Sequence, residues 1–126
     1  AILLVDDERI NLLNLQFSLN DRYTVLSEAS AEDALATLQS EHVDLVLTDH
    51  RMEGMSGVQL CRRIHELGFR IPIIILTGYI DNPEVEQALA SGDASEVMVK
   101  PFVLEHLVEV VDRYLSENDS ANSPTV

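Results

Sequence analysis

The sequence predicts a doubly wound α/β fold, a five-stranded parallel sheet with five helices packed on its two faces. Three observations carry this expectation. Short apolar runs alternate with amphipathic stretches five times, the runs are continuously apolar, and acidic, hydroxyl or basic residues stand at their C-terminal ends. Continuously apolar strands are buried on both faces, as in a parallel sheet between helices, and repeated strand–helix units wind such a sheet.

Each element has its own justification. The first run, Ile2 to Val5, leads through Asp6-Asp7 into a helical pattern from Arg9 to Leu19. That helix carries two apolar stripes, Leu12/Leu15/Leu19 and Ile10/Leu13/Phe17, roughly opposite one another at the 100° step of an α-helix. One stripe is needed for the core; the second either docks a partner or is partly covered by neighbouring loops. The second run, Tyr23 to Ala29, precedes a helix from Ala31 to Gln39, where Ser30 followed by Asp33 comes close to a capping box. The third, Val43 to Thr48, ends at Asp49, and Ser56 with Gln59 forms a capping box opening the helix Gly57 to Leu67. After the fourth run, Ile73 to Thr77, Asn82-Pro83 places proline at the first position of a helix ending near Ala90. The fifth, Val97 to Val99, stops at Lys100. The last helix, Leu104 to Leu115, is apolar over roughly 160°, more than packing on a sheet demands, so a homodimer or output contact is expected there. Residues Ser116 to Val126 are polar and aperiodic and read as a tail or linker, leaving residues 1–115 as the domain.

Composition narrows the function. A chain of 126 residues is one domain, burying roughly two-thirds of its unfolded surface. Its net charge of -14 repels a phosphate backbone, so direct nucleic-acid binding by this segment is not expected, and any bound anion needs help from a local cation or a metal. Cys61 is the one cysteine, which fits a reducing, cytoplasmic setting. No apolar run approaches the roughly 20 residues that span a bilayer. The chain opens without a methionine, as a piece of a longer protein would.

The strand ends supply the chemistry. Asp6 and Asp7, Asp49, Thr77 and the sole lysine, Lys100, all fall at the C-terminal edge of the predicted sheet, where doubly wound folds bind ligands. Taken singly each has an ordinary reading: a helix cap for Asp6-Asp7, a loop residue for Asp49, a strand-end threonine, a solvated Lys100-Pro101 turn. Together they form a constellation. Three clustered carboxylates repel unless a cation joins them, and an oxygen-only set suits Mg²⁺ or Mn²⁺. A carboxylate so placed can take a phosphoryl group as an acyl phosphate, with metal, lysine and hydroxyl or amide donors offsetting the repulsion.

From Ile2 to about Leu115 the chain resembles the receiver domains of two-component response regulators, the flavodoxin-like CheY family. The segments that carry the resemblance are ILLVDDE (Ile2 to Glu8), LVLTDHRMEGMSG (Leu45 to Gly57), PIIILTGY (Pro72 to Tyr79) and VMVKPF (Val97 to Phe102). The resemblance implies the strand order 2-1-3-4-5. It makes Asp49 the acceptor of a phosphoryl group from a sensor histidine kinase or phosphotransfer protein. Asp7 and Asp49, with the backbone carbonyl of Arg51, are implied as direct ligands of Mg²⁺, with Asp6 acting mainly through water. Thr77, the Gly78 amide and Lys100 are implied to contact the phosphoryl oxygens. An output domain after residue 126 and a surface on the first helix that docks the kinase follow from the same resemblance.

The chain also departs from the family pattern. Val97 stands where an aromatic residue is usual, and Gly92 to Lys100 is one residue longer than usual, so the signal is expected to leave the site by an unusual route. Arg51 and Tyr79 occupy positions that tune phosphoryl lifetime, and their bulk is expected to prolong it. Glu53 and Ser56 replace the usual proline and aspartate and are expected to alter the loop alone. The four histidines, His42, His50, His65 and His106, show no paired metal spacing and read as surface residues; His50, next to Asp49, is expected at the pocket mouth without an assigned chemistry. Three alternatives remain in view: a degenerate receiver acting only through protein contacts, an aspartyl-phosphate phosphohydrolase, and a flavin-binding electron carrier. The second generally needs an acid where Arg51 stands, and the third a glycine- and hydroxyl-rich loop where Asp6-Asp7-Glu8-Arg9 stands.

Overall fold

The computed structural model describes residues 1–78 and 82–122, with side chains through Glu117. Strands and helices alternate along the chain: β1 (Ile2–Val5), α1 (Arg9–Leu19), β2 (Val25–Glu28), α2 (Ala31–Ser40), β3 (Leu45–Asp49), α3 (Gly57–Glu66), β4 (Ile73–Thr77), α4 (Pro83–Ser91), β5 (Glu96–Val99) and α5 (Leu104–Asn122). All strand pairs are parallel, in the order β2-β1-β3-β4-β5.

Successive strand residues point to opposite faces, and each face has its own core. Leu3, Val5, Val46, Ile73 and Ile75 pack with Ala34, Leu38, Val58, Ile64 and Val85 from α2, α3 and α4. Ile2, Leu4, Leu45, Leu47, Ile74 and Leu76 pack with Leu12 and Leu19 of α1 and with Leu107, Val110 and Val111 of α5. Burial on both faces is why these strands read as unbroken apolar runs. The caps follow the sequence signals. The Ser30 hydroxyl accepts from the Asp33 amide, Ser56 and Gln59 make a reciprocal capping box, and Asn82 accepts from the Glu84 and Val85 amides ahead of Pro83.

Boundaries differ from expectation by more than one residue in three places, and by one residue at α2, α3, α4 and β5. β2 is trimmed to four residues, with the Tyr23 hydroxyl turned to Asp112 of α5. β3 begins at Leu45 and takes in Asp49 as its last residue. The helix expected to end at Leu115 runs on to Asn122, so the polar segment begins as helix. Between Ser116 and Asn122 there is neither glycine nor proline, and Pro124 is the first strong breaker.

The two stripes of α1 separate cleanly. Leu12, Leu15 and Leu19 pack into the core, whereas Ile10, Leu13 and Phe17 are 74%, 63% and 83% exposed. On α5 most of the apolar arc is spent on the core, and the surplus falls at exposed Leu104 and at Val103 just before the helix. Among the described residues no helix is long and apolar enough to cross a membrane.

Candidate functional site

Strand order reverses between β1 and β3, since β2 lies to one side of β1 and β3 to the other. Such a switch point opens a crevice beyond the carboxyl ends of the strands, and the predicted residues gather there. Asp6 and Asp7 follow β1 and Asp49 closes β3; one carboxylate oxygen from each lies within 4.8 Å of the others. Lys100 follows β5 and reaches back across the end of β4, placing Nζ 2.8 Å from Asp49 Oδ1. Its backbone N–H donates to the Thr77 carbonyl at 2.8 Å, which ties the ends of β4 and β5 together. Thr77 is buried at the end of β4 and Gly78 beyond it is exposed, with nothing crowding its Cα.

Backbone amides orient two of the carboxylates. Glu8 N–H donates to Asp6 Oδ1 and Glu53 N–H donates to Asp7 Oδ2, both at 2.9 Å. Burial is the main influence on Asp6 and raises its pKa above the ordinary carboxylate value. The Glu8 amide and Lys100 oppose that rise, while Asp49 and Asp7 add to it. Three acidic groups this close, with one lysine to offset them, could hold a small divalent cation. Their all-oxygen donor set fits magnesium or manganese.

Two features were not legible in the sequence. A Cβ on Gly57 would sit 2.5 Å from the Asp49 carbonyl oxygen and 2.9 Å from His50 Cα. The first residue of α3 therefore has to be glycine for the helix to pack directly behind Asp49. The only sequence hint is a glycine, a poor helix former, immediately after a strong Ser56 cap. The second corrects the reading of His50 as a surface residue: held between β4 and α3, it lies buried at 6% exposure. Arg51, Met52, Glu53 and Ser56 border an open cleft of ≈ 680 Å³ beside Asp7. Tyr79 lies outside the described residues.

A carboxylate cluster beside a lysine, at the switch point of a doubly wound sheet, defines a class of phosphoacceptor domain. Comparison with known proteins gives the family. The model of the response regulator receiver domain matches residues 2–112. The chain is 38% identical over 114 residues to the C4-dicarboxylate transport transcriptional regulatory protein DctD of Rhizobium meliloti, covering 90% of this chain and 25% of that one. It superposes with a TM-score of 0.88 on the crystal structure of a CheY-like response regulator receiver domain protein from Methanospirillum hungatei. That pair is 29% identical, covering 96% of this chain and 97% of the other. Response regulator TrrA of Thermotoga maritima, in complex with Mg(2+)-BeF, matches with a TM-score of 0.78 and 32% identity over 90% of this chain and 96% of that one. The chain belongs to the response regulator receiver domain family and is a signalling phosphoacceptor domain of two-component systems. It spans 23% to 27% of the length of several larger regulators that it matches.

Proposed function

We propose that Asp49 is the phosphoacceptor of this receiver domain and that Asp6, Asp7 and Asp49, with the Arg51 carbonyl, hold Mg²⁺ or Mn²⁺. Thr77, the Gly78 amide and Lys100 then receive the phosphoryl oxygens. The observation that carries this reading is the 2.8 Å contact between Lys100 Nζ and Asp49 Oδ1 inside the carboxylate cluster. Asp49 is the member of the trio hydrogen-bonded to a fixed counter-charge, and that charge stands where a phosphoryl group would develop its own.

The phosphoryl group comes from a phosphohistidine of a sensor histidine kinase or phosphotransfer protein. An Asp49 oxygen attacks phosphorus in line; the new O–P bond forms as the P–N bond breaks, and the imidazole leaves with its electron pair and takes up a proton. Lys100 passes from the carboxylate to a phosphoryl oxygen, and the Thr77 hydroxyl and Gly78 amide donate to the others. These fixed donors offset the repulsion between two anions. Mg²⁺ held by Asp6, Asp7, Asp49 and the Arg51 carbonyl would supply positive charge for the same purpose. The domain promotes only its own phosphorylation and dephosphorylation. Arg51 screens the acyl phosphate from water, and an Arg51→Ala variant has a shorter phosphoryl lifetime.

The exposed Ile10/Leu13/Phe17 stripe supports docking of the phosphoryl donor on α1. We place the domain in residues 1–115, with 116–126 leading to an output domain beyond residue 126, in a cytoplasmic protein. Homodimerisation through the surplus apolar surface at Val103 and Leu104 completes the scheme. The deciding experiment is incubation with acetyl phosphate and Mg²⁺, read by intact mass. Wild type gains a phosphoryl adduct and Asp49→Asn does not. An adduct retained by Asp49→Asn refutes the assignment, and no adduct on wild type points to a degenerate receiver working through contacts alone.

A further inference from the structure

His50 combines features that packing does not explain. The residue directly follows Asp49, and its side chain is 7% exposed. Its backbone is held on both sides: its N–H donates to the Leu76 carbonyl of β4 at 3.1 Å, and its carbonyl accepts from Gly57 N–H of α3 at 2.9 Å. Gly57 packs against His50 Cα with no room for a side chain between them. With its main chain pinned between β4 and α3, the ring is the part of this residue that can change partners. Nδ1 is buried and has no hydrogen-bond partner among the described residues. Nε2 points at α4, where it lies 3.9 Å from Glu84 Oε2. An apolar ring would fill the same space without burying an unpartnered nitrogen, so a polar group in this place needs another reason.

Glu84 is a suitable counterpart. It stands in the first turn of α4, its amide bonded to the Asn82 cap at 3.0 Å, and its carboxylate is 72% exposed. The present separation is about 1 Å longer than a hydrogen bond, so a small displacement of the helix start closes it. β4 leads from Thr77 toward this same turn, and Thr77 is tied to Lys100, which contacts Asp49. The adjacent strand β5 presents at Val97 only a half-buried apolar side chain packed into the core.

We propose that His50 is a positioning residue that couples Asp49 to α4: the Nε2–H···Glu84 bond is open in the resting domain and closes when a phosphoryl group occupies Asp49. The proposal rests on the phosphoacceptor reading above. The tautomer with hydrogen on Nε2 makes this bond and leaves Nδ1 as a bare acceptor. A contact that closes in only one state biases the equilibrium toward that state.

The test uses beryllofluoride with Mg²⁺ as a phosphoryl mimic and reads two sites by NMR. ¹⁹F signals report occupancy at Asp49, and amide shifts from Glu84 to Ser91 report α4. Wild type binds the mimic, its α4 amides shift, and the His50 Nε2 resonance moves to a hydrogen-bonded position. Glu84→Ala, an exposed position that leaves the fold intact, still binds the mimic but loses at least half of the α4 shift. His50→Phe does the same, the double variant loses no more than either single one, and His50→Gln, which keeps a donor near the Nε2 position, restores the response. Full α4 shifts in Glu84→Ala, or His50→Gln behaving like His50→Phe, overturns the coupling while leaving the phosphoacceptor reading intact. Failure of the wild type to bind the mimic overturns that reading, and this proposal with it.

Discussion

Asp6 is the carboxylate on which the surroundings press hardest, because its burial and its neighbours Asp49 and Asp7 all disfavour the ionised form. A folded-state pKa raised above the unfolded value means that stability is fullest at low pH and is lost as pH rises through the folded pKa. In metal-free protein the Asp6→Asn variant therefore gains on wild type as pH rises. Urea unfolding from about pH 3 to about pH 7 measures this, and a difference that does not change with pH contradicts it. Gly57 is constrained by space instead of charge. Because the obstacle at 2.5 Å is backbone, not the end of a flexible side chain, Gly57→Ala is expected to cost about 3 kcal/mol. It should also slow phosphorylation of Asp49 by displacing the loop; a loss under about 1 kcal/mol by urea unfolding would show that the helix slides freely. At this scale the sequence announced the acidic and basic actors, Asp6, Asp7, Asp49 and Lys100, through residue type and strand-end position. It was silent on the amides of Glu8 and Glu53 that orient two of them, because every residue has an amide. The lone thiol plays no part in the site: burial, with help from Asp93, pushes Cys61 up to about 12, so it stays protonated and inert.

Among the elements, α1 has the clearest division of labour. One stripe anchors it to the sheet and the other is left in water at Ile10, Leu13 and Phe17. Placing a charge at Phe17 leaves the packed stripe untouched, so Phe17→Asp keeps its stability within about 0.5 kcal/mol. Phosphotransfer from a cognate kinase falls about tenfold or more, as expected for a lost central apolar anchor, while labelling by acetyl phosphate is unchanged. Equal rates with the kinase remove α1 from the docking surface. The existence of two stripes was plain from 3.6-residue periodicity; which of them faced the sheet was decided by the register in which α1 leaves β1. α5 shows the reverse. Its polar continuation to Asn122 escaped a reading based on apolar periodicity, since a helix can extend past its core contacts wherever no breaker stops it.

For the molecule as a whole, the proposed cation site is a property of the fold. Asp7 and Asp49 are far apart in the chain and converge only because β1 and β3 are neighbours in parallel. An unfolded chain has no such cluster, so Mg²⁺ held there as proposed would bind the native state alone and stabilise it. At 100 times its dissociation constant the gain is about 2.7 kcal/mol, visible as a rise in Tm that Asp7→Asn abolishes. A Tm indifferent to Mg²⁺ would argue against the site. The acidic body, at a net charge of -14, adds to the attraction for cations and is poorly suited to nucleic acid. By itself the sequence determined the alternation of elements, the parallel sheet and the residue types at the strand ends, because periodicity, burial on two faces and capping chemistry are local and leave marks in the chain. The tertiary structure alone decided how close those ends come, which amides aim at them, that α3 requires a glycine behind Asp49, and that a buried His50 faces α4. Each of these depends on distances between segments remote in sequence, and on backbone groups that every residue shares.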